Sequence, residues 1–134
     1  MALHNDLGHY GELLACNYLM EKGYTILARN LINDHAPELD IVAEYHGLVV
    51  FVEVKTRAYE DRSTGLAAVD RDKQRRIVAA AERFLHEGYR DAPVRFDVIT
   101  IVGTKAPYTL THYRHAFTAE EVQAHFSYKG TICR

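Results

Sequence analysis

The sequence predicts one α/β domain, and three observations carry that prediction. Two Val-, Ile- and Phe-rich runs are joined by a tripeptide suited to a tight turn, helix-patterned segments precede and follow them, and no linker, repeat or low-complexity stretch divides the chain. At 134 residues the chain can build one core, roughly two-thirds of the unfolded surface leaving water on folding. Residues 1–134 are therefore read as a single domain.

Residues 6–22 read as a first helix, with Asp6 as its N-cap and Gly23 at the left-handed position that ends it. A short strand follows at residues 24–31. Asn33-Asp34-His35-Ala36-Pro37 is turn-rich, and because proline cannot donate to a ladder the next strand is placed after Pro37. Residues 38–44 and 48–55 are extended patterns separated by Tyr45-His46-Gly47, a hairpin connection. Residues 57–68 lack periodicity and read as a mobile surface loop. Residues 70–87 form a second helix, capped by Asp70 and stopped by Gly88, with Ile77, Ala80, Ala81, Phe84 and Leu85 as its apolar stripe. Residues 94–102 are an apolar strand and residues 108–114 a more polar one placed at a sheet edge. Thr118 opens a terminal helix, where Thr118 and Glu121 make a capping box and Phe117 and Val122 a hydrophobic staple. The order is α-β-β-β-α-β-β-α.

Composition excludes several classes of protein. No apolar run is long enough to cross a bilayer and no cationic leader precedes an apolar segment, so a soluble, cytoplasmic protein without a membrane partner is expected. Cys16 and Cys133 belong to no C-x-x-C pair, which leaves two free thiols and no structural zinc. Neither a P-loop nor a G-x-G-x-x-G turn points to a nucleotide cofactor, and the eight histidines include no H-E-x-x-H motif, only His112-x-x-His115 and isolated residues such as His4, His9 and His35. Net charge of −2 argues against coating nucleic acid by bulk electrostatics. Any polyanion site is a local patch. One candidate runs from Lys55 to Arg76, where seven cations face four anions.

Alternation along the strands locates the chemistry. Leu39, Ile41 and Ala43 share one face of their strand, and Glu38, Asp40, Val42 and Glu44 the other. On the next strand Leu48, Val50, Val52 and Val54 form an apolar row suited to a core, while Val49, Phe51, Glu53 and Lys55 point the other way. Phe51 and Val49 imply that this second face is also covered, with the first helix as the expected cover. If His46 and Gly47 are the central turn residues, paired positions sum to 93, Asp40 lies opposite Glu53, and Glu38 lies opposite Lys55. Opposed like charges are unfavourable, and a partly buried carboxylate pair raises one pKa unless a cation holds both groups ionised. Magnesium suits such a site, since it takes oxygen ligands and needs only one or two protein carboxylates. Lys55 is placed to orient a water or to stabilise charge on a phosphate. On the first helix, Glu12 is centred on a stripe of Gly8, Ala15, Cys16 and Leu19, which makes it a third acid candidate.

An acid, twelve residues, then Glu53-Val54-Lys55 resembles the signature of the PD-(D/E)xK nuclease superfamily. That superfamily's core of a helix, three antiparallel strands, a helix and a further strand matches the predicted order from Asp6 to about Val102. More closely the chain resembles the YraN-like family of predicted endonucleases, itself similar to archaeal Holliday-junction resolvases. The segments carrying this are Gly8-x-x-Gly11-Glu12-x-x-Ala15 with Tyr18-Leu19 and Gly23-Tyr24, Glu38-Leu39-Asp40-Ile41-Val42-Ala43, and Phe51-Val52-Glu53-Val54-Lys55-x-Arg57. Lys73-x-x-Arg76-Ile77 and Arg95-Phe96-Asp97-Val98 complete the set. One departure is Pro37, where the pattern has glycine.

The resemblance implies a restriction-endonuclease-like fold, a central mixed sheet flanked by helices. It implies catalysis by Asp40, Glu53 and Lys55, with Mg²⁺, or Mn²⁺ in its place, held by Glu12, Asp40, Glu53 and the carbonyl of Val54. It makes Glu38 an outer acid, and Arg57, Lys73, Gln74 and Arg76 phosphate contacts on a DNA partner. The expected activity is metal-dependent hydrolysis of DNA phosphodiesters, with branched or single-stranded DNA as candidate substrates and a homodimer as the candidate assembly. The alternative is a non-catalytic nucleic-acid-binding protein that keeps the fold.

Overall fold

The computed structural model describes residues 3–33, 36–59 and 69–123. Five strands form one mixed sheet between two helices. The helices are α1 (Leu3–Glu21) and α2 (Arg71–His86), and the strands are β1 (Thr25–Asn33), β2 (Ala36–Tyr45), β3 (Leu48–Arg57), β4 (Val94–Val102) and β5 (Thr109–Phe117). The sheet order is β1-β2-β3-β4-β5, with only β3 and β4 parallel. A parallel pair needs a crossover, and α2 supplies it. Residues 119–123 are helical, and the capping box forms: Glu121 N–H donates to Thr118 Oγ1 at 3.0 Å and Thr118 N–H to Glu121 Oε1 at 3.1 Å.

Local sequence sets most element ends. Gly23, at φ 97°, closes α1, with its own N–H on the Met20 carbonyl and the Tyr24 N–H on the Leu19 carbonyl. Asp70 caps α2 by accepting the Lys73 N–H at 2.8 Å. His46 and Gly47, at φ 52° and 83°, make a two-residue turn of the mirror-image kind whose twist suits a hairpin. Two boundaries differ from the sequence reading. Helix α1 begins at Leu3, so Asp6 lies inside its first turns and does not cap it. Strand β2 begins at Ala36 and includes Pro37, which pairs with Ile32 of β1 at a point where β2 is not paired with β3, a pairing that runs from Ile41–Val52 to Tyr45–Leu48. The loop expected over residues 57–68 starts later, since Arg57 ends β3, and residues 60–68 lie outside the described residues.

Each face of the sheet carries its own core. Ala15, Cys16 and Leu19 of α1 pack on Ile41, Ala43, Val50, Val52, Ile99 and Ile101. Ile77, Val78, Ala80 and Ala81 of α2 pack on Val42, Val49, Phe51, Phe96 and Val98. The central strand β3 is thus buried on both sides, and the helix covering the face of Phe51 and Glu53 is α2, not α1. A crossover helix must return over the strands it joins, which the apolar stripe of α1 could not reveal. Leu39 also departs from strict alternation and packs with Val42 beneath α2. The β1–β2 register skips Glu38 between Leu31–Leu39 and Ile32–Pro37, and an extra residue of this kind re-aims its neighbours.

Candidate active site

The hairpin holds the predicted register. Ile41 pairs with Val52, Val42 with Phe51 and Tyr45 with Leu48, each summing to 93. One step further Asp40 meets Glu53, but there the strand ladder stops. Asp40 Oδ2 accepts the Val54 N–H at 2.8 Å, a role a carbonyl of β2 would play in a regular ladder. The acid is thereby fixed between the two strands, beside Glu53.

Glu53 is 5% exposed, a charge-bearing group in a strand otherwise lined by core residues. Burial is the first cause that raises its pKa, to about 8, and the charge of Asp40 is the second. Lys73 and then Lys55 work against these, while a hydrogen bond to Asp40 adds to the rise. Lys55 Nζ stands 3.7 Å and Lys73 Nζ 3.6 Å from the same oxygen, Glu53 Oε2. The pocket is thus two carboxylates sharing a hydrogen bond and two ammonium groups closing on one of them, in the second half of β3 and by the first turn of α2.

The donor set fits a hard dication. Two oxygen-bearing acids that repel one another when ionised gain from a shared cation, and the proton that Glu53 retains is what a dication would replace. Asp40 and Glu53 are the residues that would hold the ion, with the Val54 carbonyl adjacent. Among the described residues no group of three histidine, cysteine, aspartate or glutamate side chains gathers as a ready-made metal cage.

The other predicted residues are distributed as follows. Glu12 is half-buried on α1, one turn from Cys16. Burial pushes the Cys16 thiol up, Arg29 opposes this, and Glu12 adds to it. Glu38 lies at the β1–β2 irregularity, and its side chain is outside the described residues. Gln74 braces the start of α2, donating to the Val69 carbonyl at 3.0 Å and accepting from Arg71 at 2.9 Å. Arg57 donates to the Thr56 carbonyl at 3.2 Å, and Arg76 is exposed on α2. Lys73, expected as a phosphate contact, stands with its ammonium 3.6 Å from Glu53 Oε2. The sequence signal for it was its place in the first turn after the Asp70 cap, which aims a long side chain at whatever lies under the helix start.

A second polar cluster lies away from this pocket. Asp97, 1% exposed, accepts from Arg95 at 2.8 and 2.7 Å and from the His115 N–H at 3.0 Å, and it contacts His112 Nε2 at 2.7 Å. His112 Nδ1 reaches the Tyr18 hydroxyl at 3.0 Å, and Arg95 donates to the Tyr24 hydroxyl. His112 thus serves a buried carboxylate.

The chain matches known proteins along most of its length. A model described as uncharacterised protein family UPF0102 matches residues 11–101. A UPF0102 protein of Phocaeicola vulgatus is 45% identical over 117 residues, 87% of this chain and 96% of that one. Relatives in Bacteroides thetaiotaomicron and Flavobacterium psychrophilum, also UPF0102 proteins, are 44% and 36% identical, covering 87% of this chain and 96% and 98% of theirs. The matched stretch contains Glu12, Asp40, Glu53, Lys55 and Lys73, so the acid pocket and both its lysines fall within the shared region, and the chain belongs to the uncharacterised protein family UPF0102.

Proposed function

We propose that this protein is a metal-dependent endonuclease that hydrolyses DNA phosphodiester bonds, with branched or single-stranded DNA as its candidate substrates. The observation that carries this reading is the pairing of Asp40 with the buried Glu53, with the Lys55 ammonium 3.7 Å from Glu53. A core strand that accepts a carboxylate and a neighbouring acid loses stability unless the pair does something in return, and binding Mg²⁺ or Mn²⁺ is what such a pair does well. The ion supplies an activated water and neutralises charge on the phosphate. Asp40 and Glu53 hold it, Glu12 is the third acid of the proposed set, and Lys55 orients the water and balances developing negative charge. Arg57, Lys73, Gln74 and Arg76 are the proposed phosphate contacts around this centre. The YraN-like resemblance supports the same activity, and its similarity to junction-cutting resolvases supports a homodimer, tested by a solution mass. No helix among the described residues is long and apolar enough to cross a membrane.

The test is a panel of linear, single-stranded and branched DNAs incubated with the protein and Mg²⁺ or Mn²⁺, resolved on denaturing gels. Cleavage is expected with either ion, is lost on chelation, and falls by at least about a hundredfold in Asp40→Asn and in Lys55→Ala, since each removes a group acting on the transition state. Absence of cleavage of every substrate with both metals overturns the enzyme reading. Binding without cleavage favours a non-catalytic DNA-binding protein.

A further inference from the structure

Two tyrosine rings meet at the end of the sheet where β3 and β4 finish. Tyr10 of α1 and Tyr108, just before β5, stand edge to face with their centroids 5.6 Å apart and an interplanar angle of 62°. Tyr10 keeps 45% of its surface exposed, so a ring already held by one neighbour still offers itself to another. Local contacts tie the pair to the strand that carries the acid pocket. Gly11, the next residue of α1, lies so close on β3 that a Cβ there would collide with Thr56 Cγ2. Tyr108 packs on Gly103, whose N–H donates to the Arg57 carbonyl at 2.9 Å. Thr56 follows Lys55, and successive side chains of a strand point to opposite faces. The rings therefore sit at the same end of β3 as Lys55, on the α1 face, while Glu53 and Lys55 share the face that α2 covers. Lys105, exposed between β4 and β5, and Arg57, which ends β3, bring positive charge to this rim.

Resting on the DNA-cleavage reading above, we propose that Tyr10, braced by Tyr108, is a stacking platform for an unpaired base of the bound strand. Every base has a π face that an aromatic ring can receive without reading sequence. In a duplex that face is already stacked, and freeing it costs unpairing energy. Geometry selects in the same direction. A strand with a phosphate at the acid pocket reaches Tyr10 only by turning over the end of β3, within the length of a few strand residues. A duplex, stiff over about 150 base pairs, resists so sharp a turn, whereas a single strand makes it freely. The substrate class that follows is DNA with unpaired nucleotides beside the bond to be cut. Such a contact adds affinity without adding positive charge, which suits a chain of net charge −2.

The experiment works in chelator, so that no strand is cut, and uses three probes of equal length: oligo-dT, a sugar–phosphate strand without bases, and a mixed-sequence duplex. Circular dichroism confirms that each variant is folded. Wild type is expected to bind fluorescently labelled oligo-dT about tenfold more tightly than the abasic strand, the effect of one stacked base. In Tyr10→Ala that preference is expected to fall by about tenfold, while the log–log salt slope for oligo-dT stays as in wild type because no charge is removed. Tyr10→Trp places the only tryptophan in the chain, and its fluorescence is expected to be quenched by unlabelled oligo-dT and not by the duplex or the abasic strand. Equal binding of oligo-dT and the abasic strand by wild type, or a tryptophan that no probe quenches, overturns the stacking platform and leaves the nuclease reading to its own cleavage test. A tryptophan signal that follows protein concentration and not DNA assigns the ring to a second copy of the chain and also overturns it. Wild type that binds none of the three probes overturns the DNA reading, and this inference falls with it.

Discussion

At the scale of the residue, a carboxylate that is buried beside another carboxylate prefers to keep its proton, and Glu53 does so up to about pH 8. Its ordinary value is 4.5, so the folded protein binds this proton more tightly than the unfolded chain does. The stability contributed by protonated Glu53 is therefore complete below about pH 4.5 and is lost as pH rises through 8. At about 1.36 kcal/mol per unit the loss across that window is at most about 5 kcal/mol. In urea unfolding with a chelator present, stability is expected to fall by several kcal/mol between about pH 5 and about pH 8.5. Glu53→Gln is expected to flatten most of that fall, and Mg²⁺ to reduce it in wild type but not in the variant. Asp97, whose pKa is lowered despite the raising effect of its burial because His112, Arg95 and the His115 N–H hold its anion, acts below its own ordinary value and leaves this window clear. A wild-type stability that did not change with pH here would mean that Glu53 titrates as an exposed glutamate.

At the scale of the element, α1 and strand β3 of the hairpin fit closely against one another on the face away from the acid pair. Gly11 lets α1 lie close on β3, for a Cβ there would collide with Thr56 Cγ2. Gly11→Ala is expected to destabilise the fold by about 1–3 kcal/mol, the range for overpacking a well-filled contact. Thr56→Ser, which removes that methyl, should recover part of the loss when the two changes are combined. Strictly additive losses in denaturant titrations of the single and double variants would show that the two residues do not meet. The hairpin was readable before folding because His46-Gly47 is a strong local turn signal that dictates which residues oppose one another. The extra residue at Glu38 was not, because a bulge is decided by how β1 runs against β2, and it moved Leu39 to the face that alternation assigns to Asp40.

At the scale of the whole molecule, the Asp97 network joins parts of the chain that are far apart in sequence. Through Arg95, His112, Tyr18 and Tyr24 it ties β4 and β5 to α1 and to the turn that follows α1. Removing one partner of such a buried set leaves the others charged and uncompensated. Asp97→Asn is expected to cost about 3 kcal/mol or more by thermal and urea unfolding. It should leave the affinity of the acid pocket for metal unchanged in the surviving folded fraction, since Asp97 does not touch that pocket. A near-neutral Asp97→Asn would mean that Arg95 and His112 find other partners or water. The net charge of the molecule as a whole is only −2, so the proposed binding of a polyanion would rest on local cations such as Lys55 and Lys73 and not on a general field.

The sequence by itself determined the α/β class, the span of β4, the caps of α2 and of the terminal turn, the hairpin register and the acid–acid–lysine set on it. These follow from periodicity, turn chemistry and capping, which act over a few residues and are written locally. Only the tertiary structure decided which helix covers which face, and with it the company Glu53 keeps. The return of α2 over β3 brought Lys73 to within 3.6 Å of Glu53, while α1 packs on the opposite face of the sheet. Contacts between residues so distant in the chain depend on how the two faces share their apolar cover, and no local pattern in either helix carries that information.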